Sequence, residues 1–236
     1  MTAAFHAEAQ KARRRHDLLL CLLVPIIMVL WIGGLNPSAP DRLANGYSAL
    51  FYRIPVIESI LMPVMMAVLA SRLWDMELKG SMPKLLFTLQ SRRSLFSGKA
   101  AFGMLEVLLV TLLAMAASVL LGRVQGYTEA FPVGQFLYLT VCTLAVNAML
   151  FFSEFLLMLW FGNPLPALCV GIVGALVGLF DVKGTAYLPS FVAPFMAQEG
   201  KGVFFLICML VAMACACVIT LVANKMYRAK HAQDAA

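Results

Sequence analysis

Charged residues are scarce in this sequence of 236 residues. Asp, Glu, Lys and Arg make up 13% of it, against about 25% in soluble domains. Hydrophobic residues make up 62%, and the mean hydropathy is +0.87. One water-soluble core cannot bury that much apolar surface. The composition therefore excludes a soluble enzyme and a disordered chain, and it indicates a membrane protein.

Histidine and nucleotide-binding motifs are also scarce. The three histidines, His6, His16 and His231, lie in the terminal segments, so a zinc H-E-x-x-H site or a Ser–His pair inside the membrane is not expected. The nearest approach to a P-loop, at Gly98-Lys99, lacks the final Ser or Thr. We predict no metal and no cofactor on this chain. Any ATP and its Mg²⁺ must therefore bind another chain.

Six apolar stretches approach the length of about 20 residues that a helix needs to cross a bilayer. Three charged residues lie inside them: Glu58, Glu106 and Glu154. The stretch at 165–180 is short and is expected to use flanking residues. We predict an all-α membrane protein with a single transmembrane domain, 1–236, and six transmembrane helices. The predicted spans are residues 18–35, 54–71, 100–121, 135–160, 165–180 and 203–223.

Basic residues are distributed unequally between the segments outside the spans. Thirteen of the 18 Lys and Arg residues lie in segments on the same side as the N-terminus, and five lie in the opposite segments. The positive-inside rule then places both termini in the cytoplasm. Because the net charge of +6 follows from this topology, no nucleic-acid partner is expected.

Two segments at the predicted membrane surface have amphipathic character. Residues 1–16 are rich in Ala and basic residues, and we predict an amphipathic elbow helix on the inner surface, with a disordered basic tail as the alternative. Residues 36–53 form the first outer loop and contain Tyr47, Phe51 and Tyr52. Such aromatic residues are typical of a bilayer boundary, so a short interfacial helix is predicted there.

The inner segment 72–99 contains the most informative pattern. Ser81 is a good N-cap and Pro83 follows in the first turn, which predicts a short helix at residues 81–90. Its apolar residues recur with helical spacing and form one face. Either this face docks against another protein or it lies on the membrane. The predicted docking residues are Ser81, Met82, Lys84, Leu85, Leu86, Leu89, Arg92 and Arg93.

The three glutamates inside the spans need an explanation, because burying a charge in a bilayer is costly. Three roles remain open for Glu58, Glu106 and Glu154. They could pair with Asn147, a hydroxyl or a basic residue of another helix, they could contact a cationic substrate, or they could couple transport to a cation or proton. Structural pairing is the favoured hypothesis. No Lys or Arg lies in the middle of a predicted span to neutralise them.

Segment 72–99 resembles the region between the second and third helices of ABC-2-type permeases. That family has an acidic residue and Lys-Gly, then an amphipathic coupling helix, then Ser-Arg and a Lys that begins the third helix. One departure is Gln90, where many relatives have proline before the Ser-Arg. The matching residues are Asp75, Glu77, Lys79, Gly80, Ser91, Arg92 and Lys99.

Within that family, the sequence of residues 77–86 is similar to the corresponding segment in the permeases of lantibiotic (bacteriocin) immunity exporters. The resemblance implies a non-enzymatic transport subunit in the bacterial cytoplasmic membrane, with residues 81–90 as its coupling helix. It implies two copies of an ABC ATPase that binds ATP and Mg²⁺, and a second permease that is either related or identical. The implied substrate is an antimicrobial peptide or a similar lipophilic compound, expelled from the bilayer for self-protection.

Two other function classes remain open. One is a membrane immunity or scaffold protein that binds its target without ATP. The other is an ion-coupled small-molecule transporter that uses Glu106 or Glu154. A partner ATPase with a P-loop distinguishes the exporter from both.

Overall fold

The computed structural model describes residues 2–34, 45–78 and 92–182, together with residues 210, 211, 213–215, 217 and 218. Regular structure in these residues is α-helical, with no strand. The helix predicted at 81–90 and most of the span predicted at 203–223 lie outside the described residues. The continuous helices are α1 (Thr2–Arg15), α2 (Asp17–Gly34), α3 (Gly46–Leu78), α4 (Arg92–Val124), α5 (Val133–Phe161) and α6 (Pro164–Val182).

Three of these helices are long and apolar enough to cross a membrane: Gly46–Trp74 in α3, Leu95–Val124 in α4 and Val133–Phe161 in α5. The apolar parts of α2 and α6 are shorter, at Leu19–Gly33 and Pro164–Leu176. A rise of about 1.5 Å per residue makes the three long helices longer than the hydrocarbon core of about 30 Å. The described chain is therefore that of a multi-pass membrane protein, and its long helices continue past the predicted spans.

The predictions for the two amphipathic segments have different outcomes. The separate interfacial helix expected in residues 36–53 is wrong for its described part, because Gly46 already begins α3 and the helix continues without a break to Leu78. At the N-terminus, residues 2–15 form a helix rather than a disordered tail. Ala9 and Ala12 of α1 are partly buried against the core of the bundle, so α1 packs on protein.

Helix α3 is the centre of the bundle and packs against α2, α4, α5 and α6. Its buried residues include Met62, Met66 and Leu73, which belong to the same hydrophobic core as Phe151. Hydrophobicity alone does not hold helices together in lipid, because the lipid is equally apolar. Close packing of side chains, together with small residues that let backbones approach, supplies the attraction instead.

Two glycines mark close approaches between helices. At Gly171 of α6, an added Cβ would lie 2.9 Å from the backbone oxygen of Pro63 and 2.7 Å from Cβ of Ala67, both in α3. At Gly103 of α4, an added Cβ would lie 2.2 Å from the ring of Phe151 in α5. Since a backbone oxygen cannot rotate away, the α3–α6 contact requires glycine at position 171.

The loop between α4 and α5 closes one end of the bundle, here called the aromatic end and formed by Tyr47, Phe51, Tyr127, Phe131 and Phe136. The ring of Tyr47 lies 5.3 Å from that of Tyr127 and 5.1 Å from that of Phe131, at the edge-to-face angles that aromatic pairs favour. The carboxylate of Glu129 in this loop accepts hydrogen bonds from the backbone N–H of Ser48, at 3.0 Å, and from its hydroxyl. Glu129 thus caps the first turn of α3 from another part of the chain.

We expect Gly171→Val to disrupt the α3–α6 contact, because its side chain would overlap the backbone of Pro63. Gly134→Ala is the matched control, since nothing lies within 4 Å of a Cβ added there. The measurement is the midpoint temperature of thermal unfolding in detergent, monitored by circular dichroism. A clearly lower midpoint for Gly171→Val alone is expected. Equal midpoints for the two variants would contradict the assigned contact.

The pH dependence of stability should contain a contribution from Glu129. The hydrogen bonds from Ser48 hold the pKa of this carboxyl below its ordinary value of 4.5. A carboxyl whose pKa is lowered in the folded state stabilises it above the ordinary pKa, and the contribution is lost as the pH falls through the folded pKa. The stability difference between the wild type and Glu129→Gln should therefore shrink in acid. A difference that stays constant with pH would show that the ionisation of Glu129 does not contribute to stability.

Candidate functional site

The end of the bundle opposite to the aromatic end is built around a buried lysine. We call it the basic end; it comprises α1, the start of α2, the end of α3 and the start of α4. The side chain of Lys99 in α4 is only 1% exposed. Its Nζ donates to the backbone oxygen of Leu73 at 2.6 Å and to Oε1 of Glu8 at 3.1 Å. Nζ also lies 5.3 Å from the centre of the Trp74 ring.

These contacts explain why a lysine can be buried here. An ammonium group without partners is very costly to remove from water, but Lys99 has a carboxylate, a carbonyl and an aromatic face around it. Glu8 is equally buried and also accepts a hydrogen bond from Lys11 at 2.8 Å. The ring of Trp74 stacks on that of Phe96, with centres 5.1 Å apart. Helix α1 is thereby joined to both α3 and α4.

A second ion pair joins α2 to α3 at the same end. Arg72 Nη2 lies 2.9 Å from Oδ1 of Asp17. Asp17 is in the first turn of α2, where a carboxylate also interacts favourably with the helix dipole. His16, just before it, has a φ of 56°. That left-handed conformation interrupts the helix between α1 and α2.

In the sequence, the segment predicted to be a coupling helix connects two helices of the basic end. Residue Leu78 ends α3 and Arg92 begins α4, so residues 79–91 connect two helices that Lys99 and Glu8 hold together. The predictions for Lys79, Gly80, Ser81, Met82, Lys84, Leu85, Leu86 and Leu89 lie outside the described residues. Glu77 lies in the last turn of α3, and Arg92 and Arg93 lie in the first turn of α4. The structure describes only the backbone of these three residues, so the roles predicted for their side chains stay predictions.

The polar residues predicted inside the membrane all face the interior of the bundle. Glu58, Glu106, Asn147 and Glu154 are between 2% and 7% exposed. Oε2 of Glu58 accepts a hydrogen bond from Thr143 Oγ1 at 3.1 Å, so this carboxyl does interact with a hydroxyl. Its other oxygen and Oε2 of Glu154 have no hydrogen-bond partner among the described residues.

Among the described residues, Asn147 and Glu58 form hydrogen bonds with other partners and not with each other. Asn147 Nδ2 donates to Thr111 Oγ1 of α4 at 3.0 Å. The structure brings Asn147 and Glu58 to the wall of one small cavity, whose lining includes neither Glu106 nor Glu154. Within the part of the chain that is described, no group of three or more His, Cys, Asp or Glu side chains could hold a metal ion.

Glu8 and Asp17 are the site residues that sequence reasoning missed. Both lie in or beside a strongly basic N-terminal segment, where an acidic residue is usually solvated. The only local signal is Lys11 three residues after Glu8, a spacing that allows an ion pair within one helix. The contacts with Lys99 and Arg72 come from distant parts of the chain and have no local signature.

The sequence matches the family described as "ABC-2 family transporter protein" over residues 4–178. The chain belongs to the ABC-2 transporter family. The match begins in α1 and ends in α6, so it includes the basic end and residues 79–91. No curated protein matches the sequence.

Family membership confirms the resemblance at the level of ABC-2 permeases. It makes this chain a membrane subunit of a transporter and implies an ABC ATPase as its partner. The likeness to lantibiotic immunity permeases is narrower than this match and stays a prediction.

The Glu8–Lys99 pair of this ABC-2 permease can be tested with a double-mutant cycle. Glu8→Gln and Lys99→Met each leave the other charge buried without its main partner, which costs about 3–5 kcal/mol. The double variant should lose less free energy of unfolding than the sum of the two single variants. The measurement is unfolding in mixed micelles, with Arg123→Met, an exposed basic residue at the aromatic end, as control. Additive losses would show that the two charges do not interact.

Proposed function

We propose that this protein is the permease subunit of an ATP-driven ABC-2 exporter in a bacterial cytoplasmic membrane. In this proposal it has six transmembrane helices and both termini in the cytoplasm. Residues 203–223, which follow α6 in the sequence, form the sixth transmembrane helix. A separate ABC ATPase, in two copies, binds ATP and Mg²⁺ and docks on residues 81–90. A second permease, related or identical, completes the membrane part.

One observation carries the proposal. The ion pairs of Lys99 with Glu8 and of Arg72 with Asp17 join α1 to α4 and α2 to α3. Helices α3 and α4 are the two that residues 79–91 connect in the sequence. A docking segment transmits movement only when its two ends are attached to rigid elements. Leu73, Trp74 and Phe96, buried around Lys99, give both ends such an attachment. A push on residues 81–90 would then tilt α3 and α4 together instead of bending a loose loop.

The proposed substrate is a membrane-active amphipathic peptide, such as a lantibiotic, or a similar lipophilic compound. An apolar groove of about 420 Å³ runs along the bundle between α2 and α4, which suits the apolar side of such a compound. Its lining is aliphatic, with Pro25 and Ile26 on α2 facing Leu113 and Ala117 on α4. Glu58, which we considered as a contact for a cationic substrate, is 2% exposed and would need the bundle to open.

The two alternatives make different predictions for energy use. In the exporter, transport into the medium requires ATP hydrolysis by the partner and persists when the proton gradient is collapsed with ATP held constant. Loss of transport under that condition would favour the ion-coupled transporter. Full protection of cells without any associated ATPase would favour the immunity or scaffold protein.

We expect Leu85→Asp or Leu86→Asp to abolish association with the ATPase. Each variant places a charge on the apolar stripe that the sequence pattern predicts at 81–90, and burying an unpaired charge in an interface is unfavourable. The amount of ATPase that co-purifies should fall by about tenfold or more. Membrane insertion, checked by fractionation, should be unchanged.

Thr88→Asp is the matched control, because the pattern places Thr88 off the apolar stripe. This variant should retain the ATPase. Undiminished co-purification of Leu85→Asp and Leu86→Asp would remove residues 81–90 as the docking element. The contacts among α1 to α6 do not depend on that outcome.

A further inference from the structure

The groove between α2 and α4 is lined by aliphatic side chains alone. It has a volume of about 420 Å³, and none of its lining residues carries a polar side chain. Pro25 is buried, Ala116 and Ala117 are small, and the exposed side chains of Leu30 and Leu120 border the groove. The side chains of this groove therefore favour an apolar ligand and offer a polar one no hydrogen bond.

The groove has about the length of the hydrocarbon in one leaflet of a bilayer. Along α2 it extends from Leu22 to Leu30, which is about 12 Å at a rise of about 1.5 Å per residue. One leaflet contributes about 15 Å to a hydrocarbon core of about 30 Å. Along α4 the groove extends from Leu113 to Leu120, close to the end of that helix at Val124. It therefore lies in the leaflet at the aromatic end and has the length that the acyl chain of a lipid requires.

A basic residue follows the groove at the aromatic end. Arg123 comes three residues after Leu120 in α4, a spacing that places both side chains on one face of the helix. Its side chain is exposed and forms no ion pair with a described residue, since the ion pairs of the described bundle lie at the basic end. The next acidic residue in the sequence, Glu129, accepts hydrogen bonds from Ser48 instead. The guanidinium of Arg123 is therefore available to an anion from outside the chain.

The end of α2 leaves the path from the groove to Arg123 clear. Among the described residues, a Cβ added at Gly33 would meet only the side chain of Leu121, at 3.8 Å. This contact aligns the ends of α2 and α4, and Arg123 lies about 3 Å beyond Leu121 along the helix axis. The apolar part of α2 ends at Gly33, so Arg123 lies where the hydrocarbon gives way to the lipid headgroups.

We propose that the groove and Arg123 together form a binding site for one anionic phospholipid of the surrounding bilayer. One acyl chain lies in the groove, and the guanidinium donates hydrogen bonds to the phosphate, which its planar geometry suits. A head with a net negative charge is preferred to a zwitterionic one, whose own ammonium group competes for the phosphate. The site requires neither the ATPase nor a transported compound, and a substrate that entered the same groove would displace the lipid.

Photolabelling of the wild type in vesicles tests the site without any variant. The vesicles consist of phosphatidylcholine with a trace of phosphatidylglycerol that carries a photoreactive diazirine in its acyl chain, and mass spectrometry identifies the labelled peptides. Residues 22–30 and 113–120 should be labelled more strongly than the exposed side of α6 around Ile172 and Val173, which contacts bulk lipid. Unlabelled phosphatidylglycerol should compete, and unlabelled phosphatidylcholine should not. Equal labelling of the groove and of α6 would show contact with bulk lipid only and would overturn the proposal.

The contact with the headgroup is tested with Arg123→Met, which removes the charge and keeps an unbranched side chain. Affinity of the groove for the phosphatidylglycerol probe should fall about fivefold, the equivalent of about 1 kcal/mol for one basic residue near anionic lipid. Arg13→Met is the matched control and should change nothing, because Arg13 is an exposed basic residue in α1 at the basic end. Wild-type affinity in Arg123→Met would refute the assigned headgroup contact.

The acyl chain is tested with Ala116→Phe, whose ring occupies part of the groove. Labelling of the groove should fall, whereas Ala101→Phe, the same substitution at an exposed position of α4 outside the groove, should leave it unchanged. Equal labelling in the two variants would contradict a chain in the groove. Labelling that appears only when the protein is strongly diluted in the bilayer would show that a second copy of the chain covers the groove, and the lipid assignment would fail.

Discussion

The absence of water in the hydrocarbon core is the constraint on which this structure depends, because every polar group inside the bundle must find its partner within the protein. Helices satisfy their own backbone, and the hydroxyls of Thr111 and Ser118 donate to carbonyls four residues earlier, each at 2.8 Å. Thr143 and Asn147 extend this pattern between helices. Oε1 of Glu58, which has no hydrogen-bond partner among the described residues, departs from this pattern.

The same constraint has a different result at the basic end, where buried charged side chains pair with one another. There Lys99 and Arg72 bind acidic residues from the first 17 residues of the chain, so α1 is part of the bundle rather than an appendage on the membrane. The two ends of the molecule are thus held by different chemistry. Aromatic rings and one exposed carboxylate close the aromatic end, while buried charges fix the helices that flank residues 79–91.

Much of the fold could be predicted from the sequence, because apolar stretches and helical spacing are local properties. The same local reasoning failed at residues 46–53, since Tyr47 resembles an interfacial residue in sequence but packs on Tyr127 and Phe131, about 80 positions away. The cost of burying Glu58 could be predicted, but its partner Thr143 could not, because spacing does not fix the rotation of one helix against another. Lys99 was found through a family motif, and Glu8 had no signal strong enough to find it.

The contact between Glu8 and Lys99 has a consequence for how the protein is made. The two residues are 91 positions apart, and chains are synthesised from the N-terminus at about 5–20 residues per second. Glu8 therefore leaves the ribosome several seconds before Lys99, with which it forms an ion pair. During that interval α1 has no α4 to pack against. The contact between α1 and α4 can therefore form only after α4 has been synthesised.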